Sequence, residues 1–182
     1  HNMLASRESL LETARLAESL EYDSIWVNDH LLIPRRMQPQ WSTWENIYEP
    51  LITLAFLAHA TERVELGESI LLLPLRNPAL FAKQTATLDI LSEGRLIIAV
   101  GVGWIEEDYA AASLPFHERG RVLDEAIIVA RKLWSEENPS FDGRYTRFPE
   151  VSFYPKPYKG RIPPIWVGGA SDAALRRAAR LG

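Results

Sequence analysis

The chain has 182 residues, 47% of them hydrophobic and 24% charged, and it contains no cysteine. That composition is typical of a globular domain, and the lack of cysteine excludes disulfide-stapled folds, thiolate metal sites and thiol nucleophiles. Its 20 basic and 24 acidic residues give a net charge of −4, too mixed for a nucleic-acid or anionic-membrane surface. We find no apolar run near the ~20 residues that cross a bilayer, and no basic, apolar leader. We therefore expect a cytoplasmic protein that binds neither nucleic acid nor membranes.

Helix-like and strand-like segments alternate along the chain. Strands are predicted at residues 24–27, 64–73, 96–102 and 164–167, and the apolar run at 96–100 is typical of a parallel strand buried on both faces. Five helices are predicted to begin near Ser6, Pro50, Pro78, residue 117 and Ser171. The start at Pro78 is the clearest, because an N-cap residue, Asn77, precedes a proline. This alternation is typical of parallel βα units and predicts an α/β fold.

Two longer segments interrupt the alternation. Residues 31–48 are predicted to form an irregular loop. Residues 138–160 are rich in proline, glycine and aromatic side chains and are predicted to form a loop or hairpin. We expect both segments to shape a substrate pocket.

Polar side chains and glycines collect just after the predicted strands. In parallel α/β folds ligands bind at the carboxyl ends of the strands, so these residues are candidates for a site. In chain order they are Asn28, Asp29, His30, Arg76, Gly101, Gly103, Trp104, Gly168, Gly169, Ala170 and Ser171. Their convergence on one rim is a stronger signal than any single motif.

The run Gly168-Gly169-Ala170-Ser171 has two interpretations. A glycine pair lets the backbone approach a ligand closely, and the helix N-terminus that follows favours a phosphate. Equally, these residues are typical of a tight strand-to-helix turn in which Ser171 is the N-cap. The pattern alone does not choose between them.

His30 follows Asp29, and an imidazole beside a carboxylate is suited to proton transfer near neutral pH. The alternative is a histidine that only makes a hydrogen bond at the mouth of the sheet. We expect no metal site, because His59 and His117 fall on helices without ligand spacing. A serine hydrolase is disfavoured because no G-x-S-x-G motif occurs.

Gly101, Gly103 and Trp104 do not form a dinucleotide fingerprint, because the third glycine of that motif would stand where the chain has Glu106. The glycines either let a flat ring lie against the strand end, with Trp104 as an apolar wall, or allow close helix–sheet packing. The acidic run at 106–108 is predicted to be a solvated first turn of a helix.

Four segments carry a resemblance to a known family. Residues 88–134 contain Leu-Asp-Ile-Leu-Ser-Glu-Gly-Arg-Leu, Gly-Val-Gly-Trp, Leu-Pro-Phe-His-Glu-Arg-Gly and Asp-Glu at fixed spacing, and residues 24–34, 73–78 and 163–171 extend the match. Nearly the whole chain thereby resembles the luciferase-like monooxygenase superfamily. It is most similar to the branch that uses the deazaflavin coenzyme F420.

The resemblance implies a TIM (β/α)₈ barrel that binds coenzyme F420 or flavin mononucleotide (FMN) at its mouth. By resemblance, Asp29 and His30 are catalytic, with His30 near the reactive ring carbon, where it assists proton or hydride transfer. Residues Ser69 to Leu72 match the strand along the ring face, and residues 168–171 match the phosphate site. Gly101 and Val102 stand where light-emitting members carry a cysteine and an arginine, which favours coenzyme F420 over FMN.

The length of the chain departs from that family. A (β/α)₈ barrel takes ~250 residues, so residues 1–182 are expected to form one incomplete domain with barrel strands two to five only. Our leading hypothesis is an oxidoreductase or monooxygenase that transfers hydride between its cofactor and a small organic substrate. The alternative is a non-catalytic half-barrel that associates with itself, since open sheet edges favour pairing. We expect a homodimer.

Overall fold

A parallel sheet with helices along one face organises the part of the chain that the computed structural model describes, residues 5–37 and 46–182. The helices are α1 Arg7–Ser19, α2 Pro50–Ala60, α3 Pro78–Leu91, α4 Glu106–Ala111, α5 Arg119–Ser135 and α6 Asp172–Leu181. The strands are β1 Ser24–Val27, β2 Glu65–Glu68, β3 Leu71–Leu72, β4 Leu96–Gly101, β5 Phe141–Asp142, β6 Arg147–Phe148 and β7 Ile165–Val167. Much of the predicted loop at 31–48 lies outside the described residues.

The sheet follows the chain order. β1 pairs with β2, both β2 and β3 pair with β4, and β4 pairs with β7, all in parallel. Within the described residues this sheet does not close into a barrel, and β1 and β7 are its edges. The predicted α/β architecture, an open portion of a barrel-type sheet, is therefore confirmed.

The strand predicted at 64–73 is interrupted. Leu66 pairs with Leu96, and Leu71 pairs with Val100. Between these two pairs, the segment from β2 to β3 therefore has one residue more than the matching segment of β4. The cis peptide bond between Ser69 and Ile70 lies in this interruption. An extra residue reverses the alternation of side chains, and as a result Leu66 and Leu71 both lie in the core.

The two faces of the sheet differ. One face is covered by α2, α3 and α5, which contribute Leu54, Phe81 and Ile127 to the core beside Ile98 and Val100 of β4. On the other face, the rings of Trp26 and Trp166 stack with centroids 5.2 Å apart, and 53% of Trp166 is exposed. The uncovered face of the open sheet is therefore aromatic and partly solvated.

Local patterns placed the helices well. Ser6 and Ser9 form a capping box at α1, and Asn77 accepts hydrogen bonds from two backbone N–H groups of α3, as predicted for N-cap residues. The excursion at 138–160 contains the antiparallel pair β5–β6, which confirms the hairpin. The described residues contain six α-helices; the predicted five omit α4, of which only the first turn at 106–108 was predicted. No helix in the described ranges has the length and apolar character to span a membrane.

Candidate active site

The segments that follow β1, β3, β4 and β7 meet at the carboxyl edge of the sheet. Asp29 and His30 follow β1, Arg76 follows β3, and Trp104 follows β4. The run 168–171 follows β7 and leads into α6. The convergence predicted from the strand ends is present.

Asp29 is the centre of a buried ion-pair cluster. Its Oδ2 accepts hydrogen bonds from the backbone N–H of Leu72 at 2.8 Å and from Nη1 of Arg76 at 2.6 Å, and its Oδ1 accepts from Nη2 of Arg76 at 3.1 Å. The same guanidinium donates to Glu49, the N-cap of α2, at 3.1 Å. Burial opposes the charge on Arg76, but the two carboxylates outweigh it and raise the pKa of the guanidinium. Asp29 thereby ties the loop after β1 to β3 and α2.

The carboxylate that faces His30 belongs to Asp108. Oδ2 of Asp108 lies 3.6 Å from Nδ1 of His30, and the side chains of Asp108 and His30 are 2% and 11% exposed. Oδ1 of Asp108 accepts a hydrogen bond from the backbone N–H of Leu32 at 2.8 Å. The prediction that residues 106–108 form a solvated turn is wrong for Asp108, because α4 turns this side chain inward.

A second contact joins the loop after β1 to α4. Arg36 and Glu107 form a two-pronged ion pair, with N–O distances of 2.7 and 2.9 Å. The hydrogen bond from Arg36 lowers the pKa of Glu107 to about 2. Together with the bond from Leu32 to Asp108, this pair fixes the loop that carries His30.

Ile70 lies across two glycines on neighbouring strands, and we call these three residues the glycine platform. A Cβ on Gly168 would lie 2.8 Å from Cδ1 of Ile70, and a Cβ on Gly101 would overlap the same atom. Glycine at both positions therefore makes room for Ile70, which is itself only partly buried. The platform is an apolar surface at the carboxyl edge of the sheet.

The segment from Gly168 to Ser171 joins the platform to α6. The N–H of Gly168 donates to the carbonyl of Val100 at 2.8 Å, and Gly169 has a φ of +126°, which favours glycine. Ser171 is the N-cap of α6 and accepts from the N–H of Ala174 at 3.3 Å. The N-cap interpretation is confirmed, and the phosphate site stays a prediction.

The other predicted residues flank the platform. Ser69 is exposed and directly precedes Ile70. Gly103 has a φ of +65° and lies under the side chain of Leu72. The half-exposed ring of Trp104 meets His30 edge-on, with centroids 6.5 Å apart.

Sequence reasoning missed Glu68, a fully buried side chain in the strand before the platform. Burial raises the pKa of this carboxyl to about 8, although backbone N–H groups near it oppose the shift. Among the described residues, none forms a hydrogen bond of ordinary geometry with either carboxyl oxygen. The available signal was the odd spacing of Glu65 and Glu68 in one strand, which places the two side chains on opposite faces of the sheet.

Comparison with known proteins identifies the family. The family model described as luciferase-like monooxygenase matches residues 2–182. The F420-dependent glucose-6-phosphate dehydrogenase of Amycolatopsis mediterranei (strain U-32) is 33% identical over 177 residues, which are 95% of this chain and 51% of the relative. The enzyme of that name from Kineococcus radiotolerans is 34% identical over 176 residues, 95% of this chain and 50% of the relative. The chain spans about half the length of these curated relatives.

Solved structures agree with the sequence comparison. An F420-dependent secondary alcohol dehydrogenase, in complex with an F420–acetone adduct, superimposes with a TM-score of 0.83 at 27% identity, covering 98% of this chain and 53% of that one. The monooxygenase RslO1 from Streptomyces bottropensis gives a TM-score of 0.83 at 27% identity, covering 96% of this chain and 51% of that one. Since the family model matches all but the first residue, this chain belongs to the luciferase-like monooxygenase family.

Proposed function

We propose that the protein is an oxidoreductase that moves hydride between a ring cofactor, coenzyme F420 in preference to FMN, and a small organic substrate. The observation that carries the proposal is that the glycine platform and His30 both lie at the carboxyl edge of the sheet. A planar ring needs an apolar surface with a proton-transferring group at its edge. Ile70 on Gly101 and Gly168 supplies that surface, and His30 supplies that group.

The apolar side chain of Ile70 suits such a ring in its chemistry. Ile70 is only partly buried, and the half-exposed Trp104, which follows β4 at the same edge, offers an aromatic wall. The cofactor, when bound, supplies the hydride chemistry, and the residues of this chain orient it and exclude water. Ile70 fills the space that a Cβ at Gly101 would occupy, so the ring would lie against Ile70 and not against the Gly101 backbone.

We place the cofactor phosphate at residues 168–171. The N-terminus of the ten-residue helix α6 opens beside the platform, and its first-turn N–H groups and dipole favour an anion. Gly169 allows the backbone to turn toward that anion without a side chain in the way. The hydroxyl of Ser171 is already used as the N-cap, so the backbone is the main binding element.

In this proposal His30 is the acid or base at the reacting centre. Its imidazole is mostly buried and sits between Trp104 and Asp108, which fixes its position. Asp29, predicted as its catalytic partner, acts here by holding the loop through Arg76 and the N–H of Leu72. Proton transfer at the substrate oxygen or carbon is then carried by His30 alone.

The choice of coenzyme F420 over FMN has two supports. Gly101 and Val102 lack the cysteine and arginine of the light-emitting members, and several relatives are named as F420-dependent enzymes. RslO1 is named as a monooxygenase, so oxygen chemistry on FMN is the competing possibility.

A binding titration distinguishes coenzyme F420 from FMN as the cofactor. The purified protein is mixed with oxidised coenzyme F420 or with FMN, and binding is followed by cofactor fluorescence. We expect saturable binding of coenzyme F420 and weaker binding of FMN. Riboflavin, which equals FMN without its phosphate, is the matched control and should bind more weakly still if residues 168–171 hold the phosphate. Failure of both cofactors to bind a folded sample would refute the proposal.

A second hypothesis, the non-catalytic half-barrel that associates with itself, also has an observation in its favour. The open sheet exposes Trp166 on its uncovered face and leaves β1 and β7 as edges. It predicts assembly without cofactor binding, so sedimentation and the titration together separate the two hypotheses.

A further inference from the structure

We infer that Asp108 is a positioning residue for the reaction: it holds a proton on Nδ1 of His30 and leaves Nε2 as the basic nitrogen. This inference rests on the proposed role of His30. It assigns the orienting task to α4 rather than to the neighbouring Asp29.

The carboxylates of Asp29 and Asp108 differ in the groups that their oxygens bind. Both oxygens of Asp29 are used, because the guanidinium of Arg76 and the N–H of Leu72 donate to them. Asp108 uses only Oδ1 for a backbone bond, to Leu32, and its Oδ2 faces the imidazole of His30. Of the basic side chains in the described ranges, His30 is the one within 4.0 Å of this carboxylate.

Burial strengthens the contact between Asp108 and His30. Both side chains are nearly excluded from water, so the attraction between a carboxylate and a ring N–H is weakly screened. The 3.6 Å separation is longer than a hydrogen bond and within ion-pair distance. Catalytic contacts are often long in ligand-free enzymes and shorten in the complex.

The position of Asp108 is itself fixed. Its Oδ1 holds the N–H of Leu32, two residues after His30, so one carboxylate binds both the loop backbone and the ring. In the preceding position of α4, Glu107 holds Arg36 of the same loop. For metal-ligating histidines, loss of the partner that fixes the ring tautomer costs roughly 10- to 100-fold in affinity or activity, and we expect an effect of the same order for His30.

The first test uses the unsubstituted protein without cofactor. Long-range ¹H–¹⁵N NMR of the histidine rings, with His30 assigned from a His30→Gln variant, reports which ring nitrogen carries the proton. We expect a protonated Nδ1. A bare Nδ1 with a protonated Nε2 would overturn the inference, and this result does not depend on whether any variant folds.

The second test uses Asp108→Asn. The amide oxygen can keep the bond from Leu32, and the amide N–H₂ then points at His30 in place of Oδ2. Because an N–H₂ group donates, it should shift the ring proton from Nδ1 to Nε2. In the cofactor-loaded enzyme we expect kcat to fall roughly 10- to 100-fold with little change in KM, and Asp108→Glu to recover part of it.

Glu107→Gln is the matched control, since it removes the adjacent ion pair with Arg36 and leaves Asp108 in place. It should leave the ring tautomer unchanged, so any fall in kcat that it causes measures loop positioning alone and is separated from the effect of Asp108 on the tautomer. An Asp108→Asn variant that keeps the Nδ1–H tautomer and full kcat would contradict the inference. Loss of cofactor binding by the unsubstituted protein would instead refute the proposed function, and the NMR result would stand.

Discussion

At the scale of single residues, Glu68 shows how burial controls ionisation. The carboxyl is fully buried, and its raised pKa of about 8 means that it stays protonated at neutral pH in the folded chain. In the unfolded chain the same group is solvated and ionises near the ordinary glutamate pKa of 4.5. The folded state therefore holds one proton more than the unfolded state between those two values, and stability must fall as the pH rises through this window.

We predict that Glu68→Gln reduces the fall in folding stability that occurs as the pH rises from about 4.5 to about 8. Gln cannot ionise, so the variant should be more stable than the unsubstituted protein at pH 8 and gain little near pH 5. The shift in pKa corresponds to on the order of 3 kcal/mol at pH 7. Urea unfolding midpoints at pH 5, 7 and 8 measure it. Glu65→Gln, an exposed position on the same strand, is the control, and parallel curves for Glu68→Gln and unsubstituted protein would refute the prediction.

The glycine platform gives a second prediction at this scale. Gly101→Ala places a methyl group on the side chain of Ile70, and we expect the free energy of unfolding to fall by about 1–3 kcal/mol. Ile70→Ala in the same chain should make room for that methyl group and recover part of the loss. Chemical denaturation of the two single variants and the double variant measures this coupling. Additive losses would show that Ile70 does not occupy the space above Gly101.

At the scale of elements, buried ion pairs join segments that are distant in sequence. Asp29 follows β1, Arg76 precedes α3, and Glu49 caps α2, so one guanidinium links three elements at the carboxyl edge. At the opposite edge Arg95 donates to the carbonyls of Ala58, Thr61 and Val64 near the end of α2. Each cluster satisfies backbone or charged groups that burial would otherwise leave without partners.

We predict that Asp29→Ala is strongly destabilising. It removes two hydrogen bonds from Arg76 and one from Leu72, and leaves the guanidinium to Glu49 and the carbonyl of Leu72. The loss should be roughly 2–3 kcal/mol, because breaking a buried ion pair costs about 3–5 kcal/mol and Glu49 remains. Thermal unfolding checks it. The control is Asp142→Ala, whose exposed pair with Arg147 should be worth under about 1 kcal/mol; equal effects would contradict the buried-pair argument.

At the scale of the whole molecule, the open sheet is the dominant feature. Its helix-covered face has a continuous core, whereas the other face carries stacked, partly solvated tryptophans. Trp166 stays 53% exposed although Trp26 stacks on it. The hydrophobic effect therefore favours covering this face.

We predict that the 182-residue chain associates with itself through this face. Trp166→Ser should weaken association at least several-fold, since burying a large apolar side chain contributes about 1.5–3 kcal/mol. Sedimentation velocity over a range of concentrations measures it. Tyr154→Ser, at a somewhat more exposed aromatic residue outside the sheet, is the control. A monomeric chain at all concentrations would exclude both this prediction and the half-barrel hypothesis.

The sequence by itself determined the α/β class, the helix caps at Ser6 and Asn77 and the strand-end positions of the candidate site, because these follow from local propensity and spacing. It also determined the family, through motifs that resemble those of known members. The tertiary structure decided what no local pattern contains. It placed Asp108 rather than Asp29 against His30, and it set Ile70 across two glycines 31 and 98 positions away by number. It also buried Glu68. The physical reason is that partners, burial and pKa depend on which distant segments pack together, and an extra residue at 69–70 that redirects side chains appears only once β2 and β3 pair with β4.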